Sequence, residues 1–143
     1  MEKIYLAAQY ARNPEMRGYR DILEGLGYTV TSRWIDQHDG ALEEALGEPE
    51  LTAEPHRGTP FALKDLEDIA AADTVINFTG AGRGGRHVEL GIAIASGKSL
   101  ILVGRREHVF HCMPGIDWYP DWDALAANLP QAIGIARYNR KAR

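Results

Sequence analysis

The chain has 143 residues, 45% of them hydrophobic and 25% charged, with a formal net charge of −4. That length holds one domain, 1–143, with a real core and no room for a second ordinary domain, and the negative balance offers no general attraction to nucleic acid or to an anionic membrane. The single cysteine, Cys112, excludes an internal disulfide framework and a multi-cysteine metal site, no apolar run is long enough to span a bilayer, and no signal-peptide pattern precedes the first strand, so the expected setting is the reducing cytoplasm.

Lys3 to Ala8 reads as a first strand, followed by a turn over Gln9 to Asn13. Asn13 with Pro14 marks a helix start, and Met16, Tyr19, Ile22, Leu23 and Leu26 continue at helical spacing until Gly25 and Gly27 stop it. Tyr28 to Trp34 is β-branched and aromatic, the composition of a second strand. From Asp36 to Thr59 the pattern loosens into an irregular excursion, with a short helix expected at 41–46. Thr59-Pro60 opens the next helix, with Thr59 as cap and Leu63, Leu66, Ile69 and Ala70 on one face.

The centre of the pattern is Asp73 to Gly104, a βαβ unit. An apolar strand at 74–78 runs into the loop Gly80 to Arg86, a helix with Val88, Leu90, Ile92 and Ile94 follows, and Ser99 to Val103 forms the next strand. Ile116 to Tyr119 is a short last strand. Asp121 opens a closing helix interrupted or kinked at Pro130, and Arg137 to Arg143 reads as a solvated, frayed basic tail. This order implies an α/β flavodoxin-like, doubly wound parallel sheet of about five strands with helices on both faces.

Glu89 lies near the start of a small, apolar helix that packs closely on the sheet, directly after a glycine loop at a strand's carboxyl end. Open α/β sheets place ligands there, so Glu89 is either a carboxylate favoured by the helix dipole, which would keep it ionised, or a catalytic group. Gly82, Gly84 and Gly85 with Arg83 and Arg86 resemble an anion cradle, though no P-loop ending is present. Arg12, Arg17 and Arg33 can add to the field from neighbouring strand ends. Asp65 supplies a second carboxylate, and two carboxylates in unlike environments are what glycosidic cleavage needs; Glu67 and Asp68 read as solvated. Tyr5 sits mid-strand with a hydroxyl that needs a partner. Trp34 is either core or a stacking wall for a flat ligand. The five histidines show no metal-ligand spacing, so no metal is expected.

Ile4-Tyr5-Leu6-Ala7, Asp65-Leu66 ahead of Ala72-Asp73-Thr74-Val75-Ile76, and Gly85-Arg86-His87-Val88-Glu89-Leu90-Gly91 resemble the nucleoside 2-deoxyribosyltransferase family, which includes the 2'-deoxynucleoside 5'-monophosphate N-hydrolases. The resemblance covers Lys3 to about Gly115. It implies Glu89 as the nucleophile on C1' of the sugar, Asp65 as the group handling the proton of the departing base, and Tyr5 as the residue orienting the nucleophile. It implies no cofactor, a small-molecule nucleoside or nucleotide substrate, and a homodimer or higher homo-oligomer in which His111 and Met113 occupy the region that completes a neighbouring site. In the transferases an acidic residue stands six positions before the nucleophile; here that position is Arg83, which favours a 5'-phosphate over a free 5'-hydroxyl. The competing expectations are base exchange between deoxynucleosides and a nucleotide sensor without turnover. A lysine-decarboxylase-like phosphoribohydrolase is disfavoured because its Pro-Gly-Gly-Gly-x-Gly-Thr signature is absent.

Overall fold

The computed structural model describes residues 2–37, 56, 58–80 and 84–143. Five strands form one parallel sheet in the order β2-β1-β3-β4-β5: β1 is Lys3–Ala7, β2 Thr29–Val30, β3 Thr74–Phe78, β4 Ser99–Val103 and β5 Ile116–Tyr119. All four pairings are parallel, with Tyr5 beside Val75 and Ala7 beside Asn77 in the β1–β3 ladder. Every residue of β3 and β4 is buried. A parallel sheet covered on both faces requires that, which is why these strands read as unbroken runs and not as alternations. The helices are α1 (Asn13–Gly25), α2 (Thr59–Ala71), α3 (Gly85–Ala95), α4 (Trp122–Ala126) and α5 (Gln131–Asn139). Among the described residues no helix is long and apolar enough to cross a membrane.

The pleat decides which helix covers which face. Asn77 turns to one side, where its Nδ2 donates to the Arg86 carbonyl oxygen at 2.9 Å and ties the start of α3 to β3. Phe78 turns to the other, against Tyr19 of α1 (ring centroids 5.5 Å) and Trp122 at the start of α4. Tyr19 and Trp122 stack on each other at 4.2 Å, closing the core at that end.

Several expectations need correction. The second strand is only two residues long; Arg33–Asp36 instead form a 3-10 turn. Ser32 Oγ accepts the Leu6 amide at 2.6 Å and Trp34 Nε1 donates to the Leu6 carbonyl at 2.8 Å, so side chains take over hydrogen bonds that a longer β2 would have supplied. Helix α2 begins at Thr59 with Gly58 as its cap, and α1 begins at Asn13 with Arg12 as its cap; in both, proline sits in the first turn, where a missing N–H costs nothing. The closing helix, by contrast, is interrupted at Pro130 as expected, and its first part is capped by Asp121, whose Oδ1 accepts the Ala124 amide at 2.8 Å. The basic tail is docked, not frayed. Arg137 pairs with Glu2, and Arg143 donates to the carbonyl oxygens of Gly115 and Lys98. Gly115 permits this: its φ is +81°, and a Cβ there would collide with the Asn139 carbonyl. The expected short helix at 41–46 lies outside the described residues.

Candidate active site

The strand order reverses direction at β1: the chain leaves it for β2 on one side and β3 on the other. In sheets of this kind ligands bind outside the carboxyl ends of the strands at such a switch point. Tyr5 and Ala7 of β1 share a face with Val75 and Asn77 of β3, the face on which α2 and α3 pack and touch each other. Asp65 comes to this space from the middle of α2 and Glu89 from α3.

The structure brings Tyr5, Glu89 and Asp65 within electrostatic reach of one another. Tyr5 is fully buried. Neither its hydroxyl nor Glu89 Oε2 has an aligned hydrogen-bond partner among the described residues. The two nevertheless act on each other: the Tyr5 hydroxyl draws the Glu89 carboxyl down, and Glu89 helps push the phenol up, after burial. Two unsatisfied buried polar atoms facing each other are unusual and call for an explanation, and a substrate that completes the pair supplies one.

Burial pushes the Glu89 carboxyl up to about 8, and the Asp65 charge acts in the same direction. This corrects the expectation of a carboxylate kept ionised by its helix. The first turn of α3 contains no acidic residue; Glu89 lies beyond it, where the dipole has faded, and desolvation wins. Asp65 is raised to about 6, first by burial and then by Asp68, with Arg33 opposing. The repulsion between Glu89 and Asp65 is mutual, so the pair titrates as a unit and holds about one proton near neutrality.

Asp68 was expected to be solvated, yet it is 6% exposed and accepts the Arg33 amide at 2.9 Å and Arg33 Nε at 2.7 Å. Arg33 also pairs with Glu67 at 2.9 Å. Arg33 is thus engaged with the carboxylates of α2. Arg17 donates to the Ile35 carbonyl at 3.0 Å and holds the 3-10 turn.

Arg12 stands at the crevice mouth, bound to Glu15 at 2.7 Å and donating to the Thr79 carbonyl at 3.2 Å. Arg86 is 4% exposed; it donates to the Gly80 carbonyl and pairs with Glu107 at 3.2 Å. Glu107 in turn accepts the Gly80 amide at 3.1 Å. Arg86 is therefore a brace for the loop, turned into the protein and not toward an open crevice. Gly84 caps α3 and Gly85 is its first residue, whereas Gly82 and Arg83 lie outside the described residues. Trp34 belongs to the core at 6% exposure, so it is no stacking wall. His111 is 2% exposed and sits with His87 and His108, and Met113 is half-buried just after it. Neither lies in the Tyr5–Glu89–Asp65 group.

Sequence reasoning missed Glu107 and Asn77. Asn77 carried a signal, a polar residue inside a fully apolar strand; Glu107, in a polar run, carried none. Beside the crevice a cavity of about 540 Å³ is lined by Thr79, Gly80, Gly104, Arg105, Arg106, Glu107 and Pro120. It lies outside the carboxyl ends of β3, β4 and β5, and none of Tyr5, Asp65 and Glu89 lines it. Gly104, at φ +111°, keeps its floor open, since a Cβ there would strike Thr79 Oγ1.

No protein-family model matches the chain, and no curated protein matches it either. Among solved structures it is similar to the Clostridium botulinum CMP N-glycosidase, with a TM-score of 0.58 and 20% identity over 91% of this chain and 98% of that one. It is also similar to a 2-deoxyribosyltransferase from Bacillus psychrosaccharolyticus, with a TM-score of 0.56 and 25% identity over 87% and 90% of the two chains. The resemblance carried by the motifs is thus matched by the fold, a five-stranded parallel α/β sandwich.

Proposed function

We propose that the protein cleaves the N-glycosidic bond of 2'-deoxynucleoside 5'-monophosphates and releases the base, with Glu89 as nucleophile. The observation that carries this reading is the meeting of two half-buried carboxyl groups and a buried phenol at the sheet's switch point. A shared proton leaves one group to attack and the other to protonate, which is the division of labour that glycosidic cleavage requires.

Glu89 gives an oxygen electron pair to C1' as the C1'–N bond breaks. That bond's electrons pass to the base, and Asp65 donates its proton there. The reactive form of the pair has its one proton on Asp65 and Glu89 ionised; the positive charge building on the sugar favours that form, and the Tyr5 hydroxyl supports it by donating toward Glu89. Water then attacks C1' and restores the Glu89 carboxylate, and its proton returns to Asp65. Substrate, water and these three side chains balance both steps.

The preference for a monophosphate rests on the cation at Arg83 in the sequence, on Arg105 and Arg106 in the cavity outside the carboxyl ends of β3, β4 and β5, and on the nucleotide named for the N-glycosidase neighbour. Exchange of bases between deoxynucleosides is the second reading, favoured by the transferase neighbour. A homodimer contact through the exposed Val109 and Phe110 accompanies either reading. The test is incubation with a panel of nucleosides and their monophosphates, with and without an acceptor base, followed by chromatography. Free base from deoxynucleoside monophosphates without acceptor supports the proposal. Product only in the presence of acceptor moves the transferase reading ahead, and no product from any substrate leaves a nucleotide-binding sensor.

A further inference from the structure

Three histidines that the sequence scatters meet beside the glycine loop. His87 lies in the first turn of α3; His108 precedes and His111 lies within the 3-10 turn Val109–Cys112. A 3-10 turn repeats every three residues, so i and i+3 side chains eclipse, and the His108 and His111 rings stack at 3.7 Å. His87 approaches His108 edge-on at 4.5 Å, with His87 Nδ1 and His108 Nε2 3.0 Å apart. One ring nitrogen from each residue lies within 4.8 Å of the other two. A tetrahedral zinc ion with bonds of about 2.0–2.1 Å separates its nitrogens by roughly 3.3–3.4 Å, so closing the triangle requires the stacked His108 and His111 rings to turn their nitrogens toward a common point.

One polar atom asks for a partner. His111 Nε2 is buried without a hydrogen bond among the described residues, where buried polar atoms are ordinarily satisfied. The nearest cation, Arg86, is matched by Glu107. We propose that His87, His108 and His111 bind a first-row divalent cation, zinc in the first instance, with a fourth position open to water. Imidazole nitrogen suits such ions, and three histidines with one open position is an established zinc arrangement.

Binding rearranges protons without releasing any. His87 Nδ1 and His108 Nε2 share one hydrogen bond, and both must offer lone pairs to the ion, so each ring keeps its proton on its other nitrogen. His111 Nδ1 accepts the Glu107 amide at 2.8 Å. Coordination through His111 Nε2 moves that ring's proton to Nδ1 and gives up this bond, in addition to the one between His87 and His108, and the three metal–nitrogen bonds must offset both. Because Glu107 also holds the Gly80 amide and Arg86, an ion here is coupled to the loop that leads into α3. The site is independent of the proposed glycosidase reaction and stands or falls separately.

The test uses the full chain without an affinity tag, stripped with chelator and titrated with zinc chloride by calorimetry, with metal content measured after dialysis. One equivalent bound with a dissociation constant in the micromolar range or below is expected. His108→Gln and His111→Ala, each verified as folded by circular dichroism, should weaken binding by at least about tenfold, the loss that even an outer partner of a metal ligand can cause. His56→Ala, away from the cluster, should bind as the unaltered chain does. Cobalt(II) provides a second readout on the unaltered chain: an intense visible spectrum of tetrahedral ligation supports the site, and a weak octahedral spectrum overturns it. Failure to bind zinc saturably below about 100 µM, against the micromolar scale of ordinary affinities, also overturns it. So does binding that survives in both cluster variants.

Discussion

Replacing Glu89 by glutamine keeps the side chain's shape and removes a carboxyl group that the fold holds out of water. Its acidity is moved from the ordinary 4.5 up to about 8. At about 1.36 kcal/mol for each tenfold change, the ceiling on the associated free energy is about 5 kcal/mol. The sign follows from linkage: between pH 4.5 and about 8 the folded chain binds more protons here than the unfolded chain, so stability is full below that window and falls as pH rises through it. Glutamine has no such dependence. At pH 5 the two chains should be nearly equal in stability. At pH 9 the variant should be the more stable, by at least about 2 kcal/mol if relaxation removes half of the ceiling. For a domain of this size that widens the gap in Tm by roughly 5–15 °C. Thermal or urea denaturation of both chains at pH 5 and pH 9 measures it, and the comparison cancels every other titrating group. Base release should be lost in the same variant, a group kept for chemistry at the expense of stability. A gap that does not widen with pH, or a variant less stable at pH 9, would refute the burial argument.

The rate should follow a bell in pH, because only the singly protonated Glu89–Asp65 pair holds both a nucleophile and a proton donor: kcat/KM rises near 6 and falls near 8. A flat profile across that range would contradict the shared proton. Tyr5→Phe removes a hydroxyl without an aligned partner, so stability should change by less than about 1 kcal/mol while base release falls. Because Tyr5 lowers the Glu89 value, the alkaline limb of the bell should also move to higher pH. Arg86→Met removes the buried donor to the Gly80 carbonyl and the partner of the exposed Glu107; it should cost about 1–2 kcal/mol in urea denaturation.

The sheet was legible because β3 and β4 are buried on both faces and so read as continuous apolar runs, and because glycine and proline punctuate the helices. Tyr5, Asp65 and Glu89 were legible one at a time, each as a polar group at an odd position; the fold brings them within electrostatic reach of one another. The second strand was misread because its β-branched composition is equally that of a half-buried turn, and Ser32 and Trp34 meet the needs of the Leu6 backbone with side chains. Arg86 looked like an anion ligand because its partner Glu107 is 21 residues away. The histidine cluster was invisible for the same reason: spacing rules find ligands on one element, and these come from two. The docked tail escaped notice because a run of basic residues carries no mark of the backbone carbonyls of Gly115 and Lys98 that receive it.

The central claim is a covalent bond between Glu89 and the sugar. Acid-quenching the chain during turnover of a deoxynucleoside 5'-monophosphate, digesting it and sequencing the peptides by mass spectrometry tests that claim most directly. A 2-deoxyribose 5-phosphate adduct is expected on the peptide containing Glu89, located on that side chain. An adduct on a different residue, or none while base is being released at steady state, would contradict it.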